Sequence, residues 1–145
     1  MHIKSRQGRR ERWNVEPDSV RICYLIEEMV LDTNCHKIKN LQQTKDECER
    51  LKASGQKIVF TNGCFDILHP GHTRTLCAAK KLGDHLVVAV NSDRSVAALK
   101  GPDRPVFKEQ LRAELLAALS CVDTVFIFDE DNPFKIIQFL LPDIL

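Results

Sequence analysis

Two histidines stand at a spacing that suits the binding of a phosphate group. His69 and His72 flank Pro70-Gly71, shortly after an apolar run that stops at Asn62-Gly63. A glycine at the end of a strand lets the backbone approach a ligand closely, and the amide groups that begin the next helix attract an anion. The segment therefore predicts a phosphate site at which both imidazoles face one phosphate.

Other chemistry for the same residues is less well supported. Histidine and cysteine also bind zinc, but no second pair of ligands accompanies His69, His72 and Cys64 at a recognisable spacing. Neither Cys64 nor Cys121 has an identifiable neighbouring base, so we expect both to pack as small residues. We predict no protein nucleophile and no zinc site at these residues.

The pattern around the histidines is that of a strand, a helix and a second strand. Residues 56–61 form a β-branched and aromatic run, residues 73–82 are predicted to be helical, and residues 85–91 are almost continuously apolar. Strands joined in this way are parallel and buried on both faces. The turn after the first strand then lies at the carboxyl edge of the sheet, where ligands bind.

The rest of the chain continues this alternation. We expect helices at residues 19–31, 44–53, 108–119 and 133–141, and a strand at residues 124–128. The alternation predicts an α/β fold with a doubly wound parallel sheet. The acidic residues 129–131 are expected to begin the last helix, because carboxylates favour the positive end of its dipole.

Composition narrows the classes of partner. The chain has 21 Lys or Arg and 20 Asp or Glu residues, so no net field draws it to nucleic acid or to an anionic membrane surface. Its six cysteines are widely spaced, which favours reduced thiols in the cytosol. There is neither a signal peptide pattern nor an apolar run long enough to span a membrane. We expect a cytoplasmic protein that binds neither nucleic acid nor a membrane.

Several short motifs extend the phosphate segment along the chain. They occupy residues 62–72, 90–96, 99–105, 112–119, 121–123 and 128–131. Together they resemble the HxGH cytidylyltransferase-like nucleotidyltransferases and, within that group, the adenylyltransferase domain of ADP-heptose synthase. The resemblance implies a Rossmann-like nucleotidyltransferase domain over residues 40–145. Residues 1–39 are then expected to form a leader that is partly flexible or helical.

The resemblance also implies a reaction. That family transfers AMP from ATP to D-glycero-β-D-manno-heptose 1-phosphate, releasing pyrophosphate and giving the ADP-heptose used for the lipopolysaccharide core. The acceptor phosphate attacks the α-phosphorus of ATP in line, which requires alignment and charge neutralisation more than a protein nucleophile. Mg²⁺ is expected to enter bound to the phosphates of ATP. A homodimer is the expected assembly.

Motif positions give each candidate site residue a role. His69 and His72 are assigned to catalysis. Nucleotide or phosphate binding is assigned to Asn62, Gly63, Cys64, Phe65, Asp66, Gly71, Asn91 and Asp93. Candidates for the acceptor phosphate are Lys100, Arg104 and Arg112, each of which could also be a solvated charge.

Two of these assignments keep alternatives open. Asp66 could orient a substrate or contact Mg²⁺. Asp93 could contact the ligand or cap a helix that we expect to begin near Ser95.

The C-terminal end departs from the family pattern. In the family, the position of residues 142–145 is followed by a lysine-glycine segment, a further strand and a serine/threonine-rich helix start that grips the triphosphate. This sequence stops before them, so a truncated domain that binds nucleotide without turnover is an alternative to the enzyme. Within the enzyme class, a cytidylyltransferase for glycerol 3-phosphate or an adenylyltransferase for FMN is the other alternative.

Overall fold

The computed structural model describes residues 35–145. The helix predicted at residues 19–31, and nearly all of the leader expected at residues 1–39, lie outside the described residues. The described part begins with a short 3₁₀ turn, Cys35–Lys37. None of its helices is long and apolar enough to cross a membrane.

Three parallel strands form the sheet. They are β1 (Ile58–Gly63), β2 (His85–Asn91) and β3 (Thr124–Phe128), hydrogen-bonded in the order β1-β2-β3. Ile58 lies opposite His85, and Val87 lies opposite Thr124. The central strand is buried from Leu86 onward, as its continuous apolar run predicts. The parallel α/β fold is confirmed.

Five helices cover the two faces of this sheet. They are α1 (Leu41–Ala53), α2 (Pro70–Lys80), α3 (Asp93–Lys100), α4 (Glu109–Ala117) and α5 (Phe134–Leu140). One face buries Leu76 of α2 and Leu116 of α4 against Val88. The other buries Leu51 of α1 and Ile136 of α5. Each such side chain contributes about 1.5–3 kcal/mol through burial, and helices on both faces make the sheet doubly wound.

The chain continues the sheet at both outer edges. At the outer edge of β3, Lys39 N–H donates to Val125 O, and at the outer edge of β1, Phe60 N–H donates to Ile144 O. Both bridges are parallel. Strand order therefore reverses at β1, since the chain proceeds from β1 to β3 on one side and returns to the other side of β1 at Ile144. The carboxyl end of β1 lies at this reversal, where ligands bind in open α/β sheets.

Three aspartates fix the amino ends of these parallel segments. Asp84 donates its N–H to Lys57 O (2.9 Å), and its carboxylate accepts the N–H of the same lysine (2.8 Å). We call each such pair of reciprocal bonds an aspartate bracket. The same bracket joins Asp123 to Leu86 and Asp143 to Ile58. Asp84 directly precedes β2, which pairs with β1, and Asp123 directly precedes β3, which pairs with β2. Asp143 directly precedes Ile144, which pairs with β1.

Two helices begin earlier than their apolar patterns predict. α1 begins at residue 41 and not at 44, because Asn40 accepts a hydrogen bond from Gln43 N–H (2.8 Å) while the Gln43 side chain accepts one from Asn40 N–H (3.0 Å). α2 begins at residue 70 and not at 73, because His69 caps it and Pro70 suits the first helical position. β1 runs over residues 58–63, two residues beyond the predicted 56–61.

The prediction that the acidic residues 129–131 begin the last helix is wrong. α5 begins at Phe134, and the acidic run precedes it as a bend. Asp129 instead accepts hydrogen bonds from Arg94 and from the Ser92 hydroxyl, which join the ends of β2 and β3. Charge pairing across the sheet edge takes precedence here over the helix dipole.

Candidate functional site

The turn that follows β1 is tightly folded. Gly63 ends the strand, and a Cβ added at this position would lie 3.1 Å from the Phe65 ring. Phe65 adopts a left-handed backbone conformation with φ of 46° and is buried. A side chain at position 63 would press on the Phe65 ring, which folds back over this position and would have to shift by a few tenths of an ångström.

His69 is held in one orientation by the start of α2. Its Nδ1 accepts a hydrogen bond from Gly71 N–H (3.1 Å), which makes it the N-cap of the helix. Because Nδ1 accepts, the neutral ring carries its proton on Nε2 and can donate from that atom. A Cβ at position 71 would lie 2.7 Å from Cε1 of His69, so Gly71 leaves room for the ring.

His72 lies directly against His69. The two ring centroids are 3.8 Å apart, and the edge of Phe65 packs against His72 at 5.4 Å. Burial, followed by electrostatic repulsion from His69 and Lys100, lowers the pKa of His72. Its buried Nδ1 has no hydrogen-bond partner among the described residues. A phosphate oxygen is a suitable partner for such a nitrogen, and its negative charge would favour the protonated ring.

Asp66 is directed away from solvent and is already occupied. Its side chain is 3% exposed, its Oδ1 accepts from Val106 N–H (2.6 Å), and its Oδ2 accepts from Arg104 Nη1 (2.7 Å). Burial alone would raise the pKa of Asp66, but these hydrogen bonds hold it below the ordinary value. In place of substrate or Mg²⁺, the carboxylate contacts the loop between α3 and α4.

Arg112 is not the surface cation that its charge suggests. The side chain has no solvent exposure. It donates from Nε to Phe107 O (2.9 Å), from Nη1 to Cys64 O (2.5 Å) and from Nη2 to Asp93 Oδ1 (2.9 Å). This corrects both sequence interpretations, a contact to the acceptor phosphate and a solvated charge. Arg112 instead ties α4 to the turn after β1 and to the start of α3.

The polar residues after β2 are bound mainly to each other. Asn91 is buried and donates to the Ser95 hydroxyl (2.9 Å), while Ser92 caps α3 by accepting from Ser95 N–H (3.1 Å). α3 therefore begins at Asp93 and not near Ser95. Asp93 is therefore not its N-cap; its carboxylate is 25% exposed, pairs with Arg112 and lies 3.5 Å from Lys108, and its contact to a ligand stays a prediction.

The exposed cations near the site come from one region. Lys100 ends α3, Arg104 lies beside Asp66, and both are exposed. Lys108, whose side chain is 78% exposed, completes the set. Sequence reasoning missed Lys108, although it stands at the end of the basic loop that contains the other two. Three exposed cations thus lie in or beside the loop between α3 and α4. The buried Arg112 is not one of them.

The cysteines and acidic residues do not add further chemistry. Burial first, and then the neighbouring Cys77 thiol, raises the pKa of Cys121 to about 11, so Cys121 is protonated at neutral pH. Within residues 35–145, no group of three or more His, Cys, Asp or Glu side chains is placed to hold a metal ion. The structure is thus an α/β domain with a histidine pair at the carboxyl end of β1 and exposed cations on the loop between α3 and α4.

Comparison with known proteins identifies the family. Residues 60–145 match the family described as Cytidylyltransferase-like, and the match covers more than half of the chain. The chain therefore belongs to the cytidylyltransferase-like family, a class of nucleotidyltransferases. This confirms the resemblance that the motifs around His69 and His72 indicate.

Individual proteins with similar sequences are more specific than the family. The chain is 52% identical over 109 residues to the bifunctional protein HldE of Syntrophotalea carbinolica. The aligned region covers 75% of this chain and 22% of that protein. It is 55% identical over 117 residues to HldE of Helicobacter pylori strain J99, covering 81% of this chain and 25% of the relative. The chain thus spans about a quarter or less of the length of these relatives.

A solved structure shows the same fold. The lipopolysaccharide core biosynthesis protein from Thermoplasma volcanium GSS1 superposes with a TM-score of 0.54 at 38% sequence identity. The superposition covers 61% of this chain and 71% of that one.

Proposed function

We propose that this domain transfers AMP from ATP to D-glycero-β-D-manno-heptose 1-phosphate, giving ADP-heptose and pyrophosphate for lipopolysaccharide core biosynthesis. The observation that carries the proposal is the stacked pair His69 and His72 at the carboxyl end of β1. The family membership and the names of the relatives, HldE and a lipopolysaccharide core biosynthesis protein, support the choice of reaction.

The histidine pair acts on the phosphates of ATP. His69 donates from Nε2, because its Nδ1 is occupied by Gly71 N–H. As the acceptor phosphate attacks the α-phosphorus, negative charge moves toward the departing pyrophosphate, and fixed donors stabilise that charge without reorganising. His72 is neutral in the free protein because burial lowers its pKa, and an arriving phosphate favours its protonation. The pair therefore gains positive charge where negative charge develops.

The remaining charges suit two phosphate-bearing substrates. Mg²⁺ enters with ATP and neutralises part of the triphosphate, as in other phosphoryl transfers. Lys100 and Arg104 are exposed and supply cations for the acceptor phosphate. Because ATP is a cytoplasmic nucleotide, we place the reaction in the cytoplasm.

The test is pyrophosphate release by the purified chain. With Mg²⁺, ATP and heptose 1-phosphate we expect release that stops when either substrate is omitted. His72→Ala should lower the turnover number about 10²–10³-fold, the usual effect of removing one donor to a transition-state anion. His36→Ala, which removes an exposed histidine of the Cys35–Lys37 turn, is the matched control and should keep the wild-type rate.

Other substrates distinguish the alternatives. Faster release with CTP and glycerol 3-phosphate, or with ATP and FMN, would assign the domain to a different acceptor. Measurable ATP binding without release from any acceptor would contradict the enzyme and leave a nucleotide-binding domain.

A further inference from the structure

The loop between α3 and α4 is held by polar contacts. This segment, residues 101–108, is called loop 101–108 below. Its apolar side chains contribute little to holding it, because Val106 is 57% exposed and Phe107 is 40% exposed. Its backbone is instead bound at two points, by Asp66 at Val106 N–H and by Arg112 at Phe107 O.

Asp66 makes both of its contacts to this loop. One carboxylate oxygen accepts the Val106 amide and the other accepts Arg104 Nη1. The carboxylate is 3% exposed, so neither oxygen has room for a third partner from solvent. A buried ionised carboxylate is stable only when it is paired in this way. Asp66 therefore acts on its surroundings through loop 101–108.

Arg104 is fixed at one nitrogen and accessible at the others. Its side chain is 42% exposed, and Nη1 is the guanidinium nitrogen that bonds to a described residue. The guanidinium is planar and carries five N–H donors, so anchoring one nitrogen sets the plane in which the rest lie. The donors that remain suit a phosphate, which guanidinium groups bind through two parallel hydrogen bonds.

We propose that Asp66 is a positioning residue: it anchors loop 101–108 and orients the guanidinium of Arg104, which binds the phosphate of the acceptor. Asp66 itself touches neither substrate. The proposal rests on the proposed function for the identity of the acceptor, heptose 1-phosphate. The anchoring of the loop stands independently of that identity.

The anchor is tested without any measurement of turnover. Asp66→Asn keeps an oxygen for Val106 N–H but loses the charge that holds Arg104, whereas Asp66→Ala loses both contacts. Hydrogen exchange at the Val106 amide should be at least about tenfold faster in Asp66→Ala than in the wild type, with Asp66→Asn between them, because a hydrogen bond to a charged group is lost. Asp103→Asn changes an exposed carboxylate of the same loop and should leave the exchange unchanged.

The orientation of Arg104 is tested by the binding of the acceptor. Asp66→Asn and Arg104→Met should each raise KM for heptose 1-phosphate about tenfold while kcat and the Kd for ATP stay within about twofold. The double variant should be no worse than Arg104→Met alone, because both changes remove one interaction. Circular dichroism on each variant establishes that the fold is retained. If Asp66→Ala does not fold, the exchange rate of the Val106 amide in Asp66→Asn shows whether Asp66 anchors the loop.

Three results would overturn the inference. The first is an unchanged Val106 exchange rate in the variants of Asp66. The second is a loss of kcat at an unchanged acceptor KM, which would mean direct contact with the reacting groups. The third is an effect of the double variant equal to the product of the single effects. If the wild type transfers no AMP, the proposed function fails, and the exchange rates together with calorimetric titration of heptose 1-phosphate still decide the roles of Asp66 and Arg104.

Discussion

At the residue scale, Gly71 owes its identity to a neighbouring side chain. Its backbone dihedrals are those of a helix, so conformational freedom does not require glycine here. The requirement comes from His69, whose ring folds over position 71 to accept the Gly71 amide. The glycine of the histidine motif therefore serves the orientation of the first histidine.

We predict that Gly71→Ala lowers turnover with little loss of stability. The added methyl group would lie 2.7 Å from Cε1 of His69 and would push the ring out of its capping position. Pyrophosphate release should fall roughly tenfold or more, since misplacement of about 1 Å at a reacting group has effects of this order. Thr75→Ala, an exposed change one turn later in α2, should keep the wild-type rate. Equal rates in Gly71→Ala and wild type would show that the ring orientation is unimportant.

The sequence predicts the histidine pair, but it does not predict which charged side chains are buried or what they bind. Two histidines around Pro-Gly after a glycine-ended strand are a local pattern, and the site they form is local too. Arg112 is different, because its partners Cys64 and Asp93 are 48 and 19 residues away in sequence. No spacing rule shows that a helical arginine will be enclosed by two segments that are distant in sequence. The roles assigned to the individual ligand-binding residues stay predictions.

At the element scale, Arg112 joins three elements. It links α4 to Asp93 at the start of α3 and to Cys64 in the turn after β1. A second bond between the same helices runs from Asp93 N–H to Glu109 (2.7 Å). The position of the turn after β1 therefore depends on the docking of α4.

We predict that Arg112→Met destabilises the domain by about 3 kcal/mol. Removing one partner of a buried charged network leaves the carbonyl of Cys64 and the carboxylate of Asp93 without their partner. The measurement is the free energy of unfolding from urea denaturation. Arg94→Met is the matched control, because Arg94 also makes several bonds, to Asp129 and Asp131, but is 55% exposed. Its loss should cost clearly less stability than the loss of Arg112, because exposed ion pairs contribute little. Similar losses in both variants would contradict the structural role of Arg112.

The spacing of apolar residues predicts most of the helices and strands, whereas capping side chains determine where the helices begin. All three strands and four of the helices, α1, α2, α4 and α5, are predicted from the sequence pattern near their observed positions, and the start of α3 is predicted near Ser95. The early starts of α1 and α2 depend on the side chains of Asn40, Gln43 and His69. The signals were present in the sequence, as an Asn-x-x-Gln capping pair and as proline at a first helical position. The acidic run at residues 129–131 was misassigned because its partner, Arg94, lies in another helix.

At the scale of the whole molecule, a polar network closes the edge of the sheet opposite the site. Thr124 donates its hydroxyl proton to Glu47 (2.6 Å) and accepts from His85 Nε2 (2.9 Å). Lys39 pairs with Glu47 at 2.5 Å. Burial first lowers the pKa of His85, with Lys80 and Lys39 acting in the same direction and Asp123 and Glu47 opposing them.

We predict that stability falls as pH drops below about 6.5. In the unfolded chain His85 takes up a proton near pH 6.5, whereas in the folded protein its lowered pKa delays that uptake. The unfolded state then binds more protons, so the free energy of unfolding decreases with falling pH, and His72 adds to the same trend.

Thermal melting between pH 7.5 and 5.5 measures this dependence. His85→Gln, which keeps a donor for Thr124 without a titrating ring, should show a smaller decrease of Tm over this interval. A steeper or equal decrease in the variant would rule out His85 as a source of the acid sensitivity.

The aspartate brackets fix the register of the parallel segments at the amino edge of the sheet. Each parallel segment follows an aspartate that binds one residue at the start of the adjacent strand: its carboxylate accepts the N–H of that residue, and its own N–H donates to the C=O. A slip of one residue would turn the buried side chains of a strand to the opposite face, and the brackets oppose it at the first pair. Since this alignment is set at the amino edge, the turns at the carboxyl edge do not have to maintain it. Loops around the histidines can therefore change length and sequence, and with them the choice of substrate, while the strands keep their alignment.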